Sequence, residues 1–257
     1  MSRIIIQIYE IQDPNEAELL VKLDLDHIGS VIVDKRDWKS DEIKDVVCIC
    51  KDSGKKSSLI FLFNDIDLIL RAIDYYKPDI LHLCDDITID TENHVQRQMI
   101  LKEKIPEIRI MRTIPIPPKN ISVSFSLEEY LLKFSLCTDI FLVDTYIKDA
   151  PVAGYIGITG KTCNWELARE ITINSLKPVI LGGGLTPYNV YDALVFVGPH
   201  GVDSCTGTNA VDNEGKPVRF KKDLNKIKKF IKECRRYEKE KAISESASQF
   251  YQRNNRG

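Results

Sequence analysis

The chain of 257 residues carries 36 Lys and Arg against 38 Asp and Glu, a formal net charge of -2. With a sequence pI of about 6.1, this balance excludes the basic footprint of a nucleic-acid-binding domain. Hydrophobic residues make up 43% of the chain, enough for a sizeable core, yet no apolar run is long enough to cross a bilayer.

Residues 4–8 are an apolar run that reads as a first strand, preceded by too little apolar sequence for a signal peptide. Asp13, with Glu16 three residues on, marks a helix start, and residues 16–25 are amphipathic. Residues 29–33 form a second strand, followed by the charged loop Asp34-Lys35-Arg36-Asp37 and a helix opened by Ser40. Further strands are expected at 58–63, 78–83 and 108–114, with helices at 66–75 and 90–104 between them. Pro115, Pro117 and Pro118 forbid a helix directly after the fifth strand. A short helix at 126–135, a sixth strand at 140–144 and a helix at 166–175 follow. A seventh strand ends at Leu181, with a helix at 189–197; an eighth spans 201–205, with a last helix at 222–236.

Eight strands, each followed by a helical pattern, predict a single-domain (β/α)8 TIM barrel of class α/β over residues 1–234. The rest, 235–257, reads as a charged extension, helical or partly disordered. The rival architecture is a doubly wound open sheet, which keeps its Gly-rich phosphate turn after the first strand. Here the first strand ends Ile8-Tyr9-Glu10, with no glycine, and the glycines fall after strands seven and eight. Barrels keep their phosphate site there.

In KPVILGGGLTPYN a buried-strand pattern stops at Gly182-Gly183-Gly184 and leads into a helix. Such a turn presents backbone N–H groups to an anion, and glycine lets the backbone come close. Downstream, Gly201-Val202-Asp203-Ser204-Cys205-Thr206-Gly207 supplies a second strand and turn. Gly183, Gly184, Thr206 and Gly207 are therefore expected to share one phosphate. Asp144 caps the apolar sixth strand, which in a barrel puts it at the catalytic rim, with a helix-capping role as the alternative. The loop GYIGITGKTCNW is long enough to close over a substrate, and Lys161 within it is a candidate anion partner. Its glycine spacing is not that of a P-loop, which disfavours a nucleotide triphosphatase. His27, His94 and His200 lie away from the rim and read as structural. The seven cysteines show no C-x-x-C spacing, which fits a reducing cytoplasm better than a disulfide framework or a structural metal. The lysines of 221–232 read as the wet face of the last helix.

Together, VILGGGLTPYNV, FLVDT, GITGKTCNW and GVDSCTGTN resemble the phosphoribosylanthranilate isomerase family of tryptophan biosynthesis. That family reads LAGGL-x-x-x-NV, LLD(T/A), GGTGKTFDW and DVSSGVE at these places. The resemblance is strong over 140–223 and weaker before it, where DHIGSVIV is similar to the family's second strand. It implies a cofactor-free and metal-free Amadori rearrangement. An acid on the ring oxygen opens the furanose of a phosphoribosyl amine, and a base takes the C2 proton. The enol-amine formed then becomes an amino-ketone. Asp144 matches the family's acid.

The first strand departs from the family. The family's K-I-C-G, with cysteine as base, is here Gln7-Ile8-Tyr9-Glu10. Tyr9 stands at the base position, and a phenol titrates near ~10 against ~8.5 for a thiol. Cys84 and Glu10 are candidate replacements, with Cys84 as a small core residue the bland alternative. Lys35 or Arg36 approximates the family's arginine after strand two; Asn164 and Asn209 replace acids. The resemblance thus implies a cytoplasmic isomerase, monomer or homodimer, that takes a phosphorylated small molecule and neither nucleic acid nor membrane. The competing readings are a diverged phosphosugar isomerase or lyase, and a non-catalytic phosphometabolite-binding barrel.

Overall fold

The computed structural model describes the backbone of residues 3–149 and 151–254, and side chains as far as residue 246. Eight strands, β1 (Ile5–Ile8), β2 (His27–Ile32), β3 (Lys56–Phe61), β4 (Ile80–Leu83), β5 (Arg109–Ile116), β6 (Ile140–Thr145), β7 (Val179–Leu181) and β8 (Gly201–Ser204), alternate with helices. Every neighbouring pair is parallel, and β1 closes onto β8 with Ile5 opposite Gly201 and Ile8 opposite Ser204. Closure excludes the open doubly wound sheet and establishes the TIM barrel.

The helices are α1 (Pro14–Leu20), α2 (Asp41–Asp52), α3 (Ile66–Tyr76), α4 (Thr91–Lys104), α5 (Leu127–Phe134), α6 (Trp165–Asn174), α7 (Val190–Val197) and α8 (Leu224–Asn254). Several begin where a side chain satisfies an orphan N–H. Asp13, Ser40, Asp65, Ser126 and Asn164 each accept such a bond at the start of α1, α2, α3, α5 and α6. Asn164 thus serves as a cap where the family carries an acid.

Alternation along the strands sorts side chains between two environments. The outward set packs under the helices in two large apolar clusters. The inward set begins with an apolar plug of Ile80, Met111, Ile140, Leu142 and Ile180, with Ile5 against it. Toward the C-terminal ends of the strands the interior turns polar, and that change of lining defines the site.

An antiparallel hairpin, β9 (Asn209–Val211) with β10 (Pro217–Lys222), was not foreseen. It lies between β8 and α8, so α8 begins at Leu224 rather than 222. Lys222 is correspondingly not on a wet helix face: it is buried at the end of β10. Its ammonium donates to the carbonyl of Cys205 at 3.1 Å and to Asn209 Oδ1 at 2.5 Å, bracing the turn after β8. Among the described residues, no helix is long and apolar enough to cross a membrane.

Candidate active site

The inward positions above the plug form a connected polar layer. Tyr9, just past β1, fills the centre: its hydroxyl lies 2.5 Å from Ser58 Oγ and 2.8 Å from His82 Nδ1. His82 Nε2 continues the chain to Thr113 Oγ1 at 2.7 Å. The ring fits because Gly29 faces it; a Cβ there would lie 2.3 Å from Tyr9 Cε1. Burial pushes the phenol well above its ordinary value, with a weaker opposing effect from the Ser58 bond. Burial likewise pushes His82 down to about 3, so its imidazole is neutral. A phenol clamped on both sides in this way is a poor base. Tyr9→Phe should therefore lower stability by about 1–3 kcal/mol, because Ser58 and His82 lose a buried partner. It should lower kcat less than tenfold. Denaturant titration and steady-state kinetics check both.

Asp144, on β6, sits half-buried at the rim. The backbone N–H of Thr145 donates to its Oδ1 at 2.6 Å, and that of Gly183 donates as well. Gly157, at φ 99°, brings the long loop against the carboxyl; a Cβ there would lie 2.3 Å from Asp144 Oδ2. Burial outweighs the two hydrogen bonds and pushes the carboxyl up to about 6. A carboxyl tuned this way is poised to donate a proton near neutrality.

The two glycine turns meet. Gly183, Gly184, Thr206 and Gly207 line one small cavity, together with Thr159 and Gly160 of the long loop and the side chains of Asp144 and Asp203. Gly183 and Gly184 take φ of 79° and 61°, the left-handed region that glycine enters without strain. This cup shares Asp144, Ile158, Asp203 and Cys205 with an adjoining lobe, lined further by Tyr9, Val31, Ile60, Leu62 and Ile156.

The remaining sequence candidates fall at different distances from this centre. Cys84 lines the lobe but is buried, and burial raises its thiol far above the ordinary range. Its carbonyl accepts from Ile156 N–H at 2.8 Å, which ties the long loop to β4. Lys161 packs its backbone on Gly184, and its carbonyl accepts from Thr145 Oγ1 at 2.6 Å, while its side chain is exposed. Arg36 is not brought to the cavity: its side chain is 85% exposed and pairs with Asp34 at 2.9 Å. Glu10 lines the lobe at φ 65°, a conformation that fits the glycine of the family pattern. Arg219 of β10 donates to its Oε1 at 2.5 Å. The three histidines are structural: His27 bonds Gln7, His94 pairs with Asp85, and His200 Nδ1 accepts from Val179 N–H.

Sequence reasoning passed over Asp203 as more than a member of the β8 turn. The residue is only 8% exposed and borders both lobe and cup. Gln7 Nε2 donates to its Oδ1 at 3.0 Å, and Gln7 Oε1 is held by His27 Nδ1 at 3.0 Å. The available signal was the spacing of two between Gln7 and Tyr9, which turns both inward on one strand.

The model of the N-(5'-phosphoribosyl)anthranilate isomerase family matches residues 7–233. The chain belongs to the phosphoribosylanthranilate isomerase family. It is 31% identical over 171 residues to the N-(5'-phosphoribosyl)anthranilate isomerase of Methanosarcina acetivorans, a match that spans 65% of this chain and 64% of that protein. With the isomerase of Methanothrix thermoacetophila it shares 26% over 233 residues, covering 90% and 97%. The crystal structure of phosphoribosyl anthranilate isomerase from Thermotoga maritima superposes with a TM-score of 0.67 at 22% identity, covering 91% of this chain and 99% of that one. The isomerase family expected from the four motifs is thereby established, along with the barrel.

Proposed function

We propose that this chain catalyses the family's Amadori rearrangement of a phosphoribosyl amine to the 1-amino-1-deoxyribulose phosphate, with Asp144 as general acid. The observation that carries the reading is the joining of the two glycine turns into one cup that the Asp144 carboxyl borders. Backbone N–H groups at the cup hold the phosphate, as oriented dipoles hold anions generally. The ribose then lies between cup and lobe, beside Asp144. Protonation of the ring oxygen by Asp144 opens the furanose, and removal of the C2 proton gives the enol-amine. The apolar lobe takes the aglycone, and Ile156 and Ile158 of the long loop roof it against water.

In this reading the protein works in the cytoplasm, as a monomer or homodimer, on a phosphorylated small molecule, with neither nucleic acid nor membrane as partner. Lys161 stands on the loop that walls the cup, where its exposed ammonium adds long-range attraction for a phosphate. Expression in a tryptophan auxotroph lacking the isomerase should restore growth on minimal medium, and Asp144→Asn should abolish that growth. A soluble protein that fails to complement, and that turns over no phosphoribosyl amine in vitro, would favour the diverged or non-catalytic readings.

A further inference from the structure

We propose that Asp203 is the carboxylate that takes the C2 proton, replacing the cysteine that the family pattern places on the first strand. The inference rests on the isomerase reading above and names the missing base within it.

The first support is exclusion by geometry. The cysteine position holds Tyr9, whose hydroxyl is committed to Ser58 and His82. Glu10 borders the lobe but not the cup, and it is bonded to Arg219. Cys84 and Cys205 are thiols that burial holds in the protonated form. Asp203 borders both cavities, as do Asp144 and the protonated Cys205, whereas Tyr9, Glu10 and Cys84 line the lobe alone. A molecule with its phosphate in the cup and its aglycone in the lobe must lay its sugar past both carboxyls.

The second support is how Asp203 is held. Strands β6 and β8 flank β7, and the residue just past β7, next in register to Asp144 and Asp203, is Gly182, which puts no side chain between them. Gln7 fixes one oxygen of Asp203; the other makes no hydrogen bond among the described residues, and Asp203 faces the cavity. In the family pattern given above the residue at position 7 is a lysine. Here the residue is a neutral amide. The inward residues of β1 thus depart from the family pattern at both positions, with no cation at 7 and no thiol at 9. Burial pushes the Asp203 carboxyl up to about 7, opposed by Gln7 and raised further by Asp144. The titratable and charged groups facing it are Asp144, Glu10, Lys222, Tyr9 and Cys205.

The proton balance closes without a co-reactant. Asp144 gives its proton to the ring oxygen as the C1–O bond breaks and the C1–N bond becomes an iminium. Asp203 takes the C2 proton, and the C–H electron pair forms the C1–C2 double bond of the enol-amine as the iminium nitrogen is neutralised. Asp203 then delivers its proton to C1, and the C2 hydroxyl proton returns to Asp144 as the ketone forms. Both carboxyls end as they began.

The test uses N-(5'-phosphoribosyl)anthranilate with the full-length protein, Asp203→Asn and Asp203→Glu. Binding of inorganic phosphate no weaker than in wild type reports an intact cup, since loss of a carboxylate at its border favours the anion. Asp203→Asn should lower kcat by ~10³-fold, and Asp203→Glu should restore part of that rate. Wild-type kcat/KM should rise and then fall with pH, because the productive pair carries one shared proton. The rising limb should vanish in whatever residual activity Asp203→Asn keeps. Retention of more than a tenth of wild-type kcat by Asp203→Asn would overturn the inference, as would a rising limb that stays in place. So would loss of C2 proton abstraction in Glu10→Gln but not in Asp203→Asn. If the wild-type protein itself does not turn over the substrate, the isomerase reading fails, and this one with it. If wild type turns over and Asp203→Asn does too, only the base assignment fails.

Discussion

Asp144→Asn is expected to lower kcat for the phosphoribosyl amine by ~10²–10⁴-fold and, above neutral pH, to make the protein more stable. The two effects share one cause. Burial outweighs the Thr145 and Gly183 N–H bonds, so the folded-state carboxyl titrates at about 6, against ~3.9 when unfolded. A folded-state value raised in this way favours folding fully below the unfolded value, and the benefit is lost as pH rises through about 6. At pH 8 the wild-type protein therefore carries a buried charge that costs roughly 1–3 kcal/mol, discounted for the half-buried position. Asn, of the same shape and uncharged, removes that cost but has no proton to give. Chemical denaturation at pH 8 should show the variant ahead, and at pH 4 the difference should close. Equal stability at both values with kcat intact would remove Asp144 from the mechanism.

The acid must coexist with a base of similar affinity for protons. Asp203 is pushed to about 7 and Asp144 to about 6, so one proton is shared between them over the interval. The productive arrangement, proton on Asp144 and charge on Asp203, is the minor one in the free protein by roughly tenfold, since one pKa unit is ~1.4 kcal/mol. That cost is small beside the ~8 kcal/mol or more that enzymes commonly remove from a barrier. kcat/KM should accordingly peak between the two values, and its limbs belong to the pair rather than to either residue.

The barrel was legible in the sequence because its signals are local. Apolar runs, capping residues such as Asp13, Ser40 and Asp65, and glycine turns after strands seven and eight each act over a few residues. Asp144 was visible for the same reason, as an acid ending an apolar strand. What stayed hidden depends on neighbours brought together across the barrel. Tyr9 looks like a substituted base until Gly29, Ser58 and His82 are seen around it, contributed by three other strands. Cys84 looks like a candidate base until its burial, which keeps the thiol protonated, is known. Arg36 looks like an anion clamp, yet the short loop turns it onto Asp34 and into solvent. The β9–β10 hairpin has weak alternation and a charged sequence, so it merged with the helix that follows. Its two contributions, Arg219 on Glu10 and Lys222 beneath the Cys205 carbonyl, are long-range contacts that no local pattern encodes.

Gly207→Ala should cost the protein its phosphate site. A Cβ at this position would lie 2.0 Å from the Leu185 carbonyl oxygen and 3.0 Å from Leu185 C and Thr186 Cγ2. The obstacle is backbone, and it cannot swing aside, because Leu185 O also accepts from Ser204 Oγ at 2.8 Å and locks the β7 turn to β8. The methyl therefore separates the two turns that form the cup. Overpacking of this kind costs about 1–3 kcal/mol in stability. The loss of phosphate affinity should be larger in proportion, because N–H groups aimed at one anion lose their common focus: inorganic phosphate should bind ~10²-fold more weakly. Gly215→Ala provides the contrast. Gly215 has φ 79° and nothing within 4 Å of its Cβ position, at the tip of the β9–β10 hairpin. Its replacement should cost only the ~1 kcal/mol of a left-handed residue and leave phosphate binding unchanged. Isothermal titration with inorganic phosphate separates the two outcomes, since backbone strain alone would weaken both variants alike, whereas a cup built from touching turns fails only when the turns are forced apart.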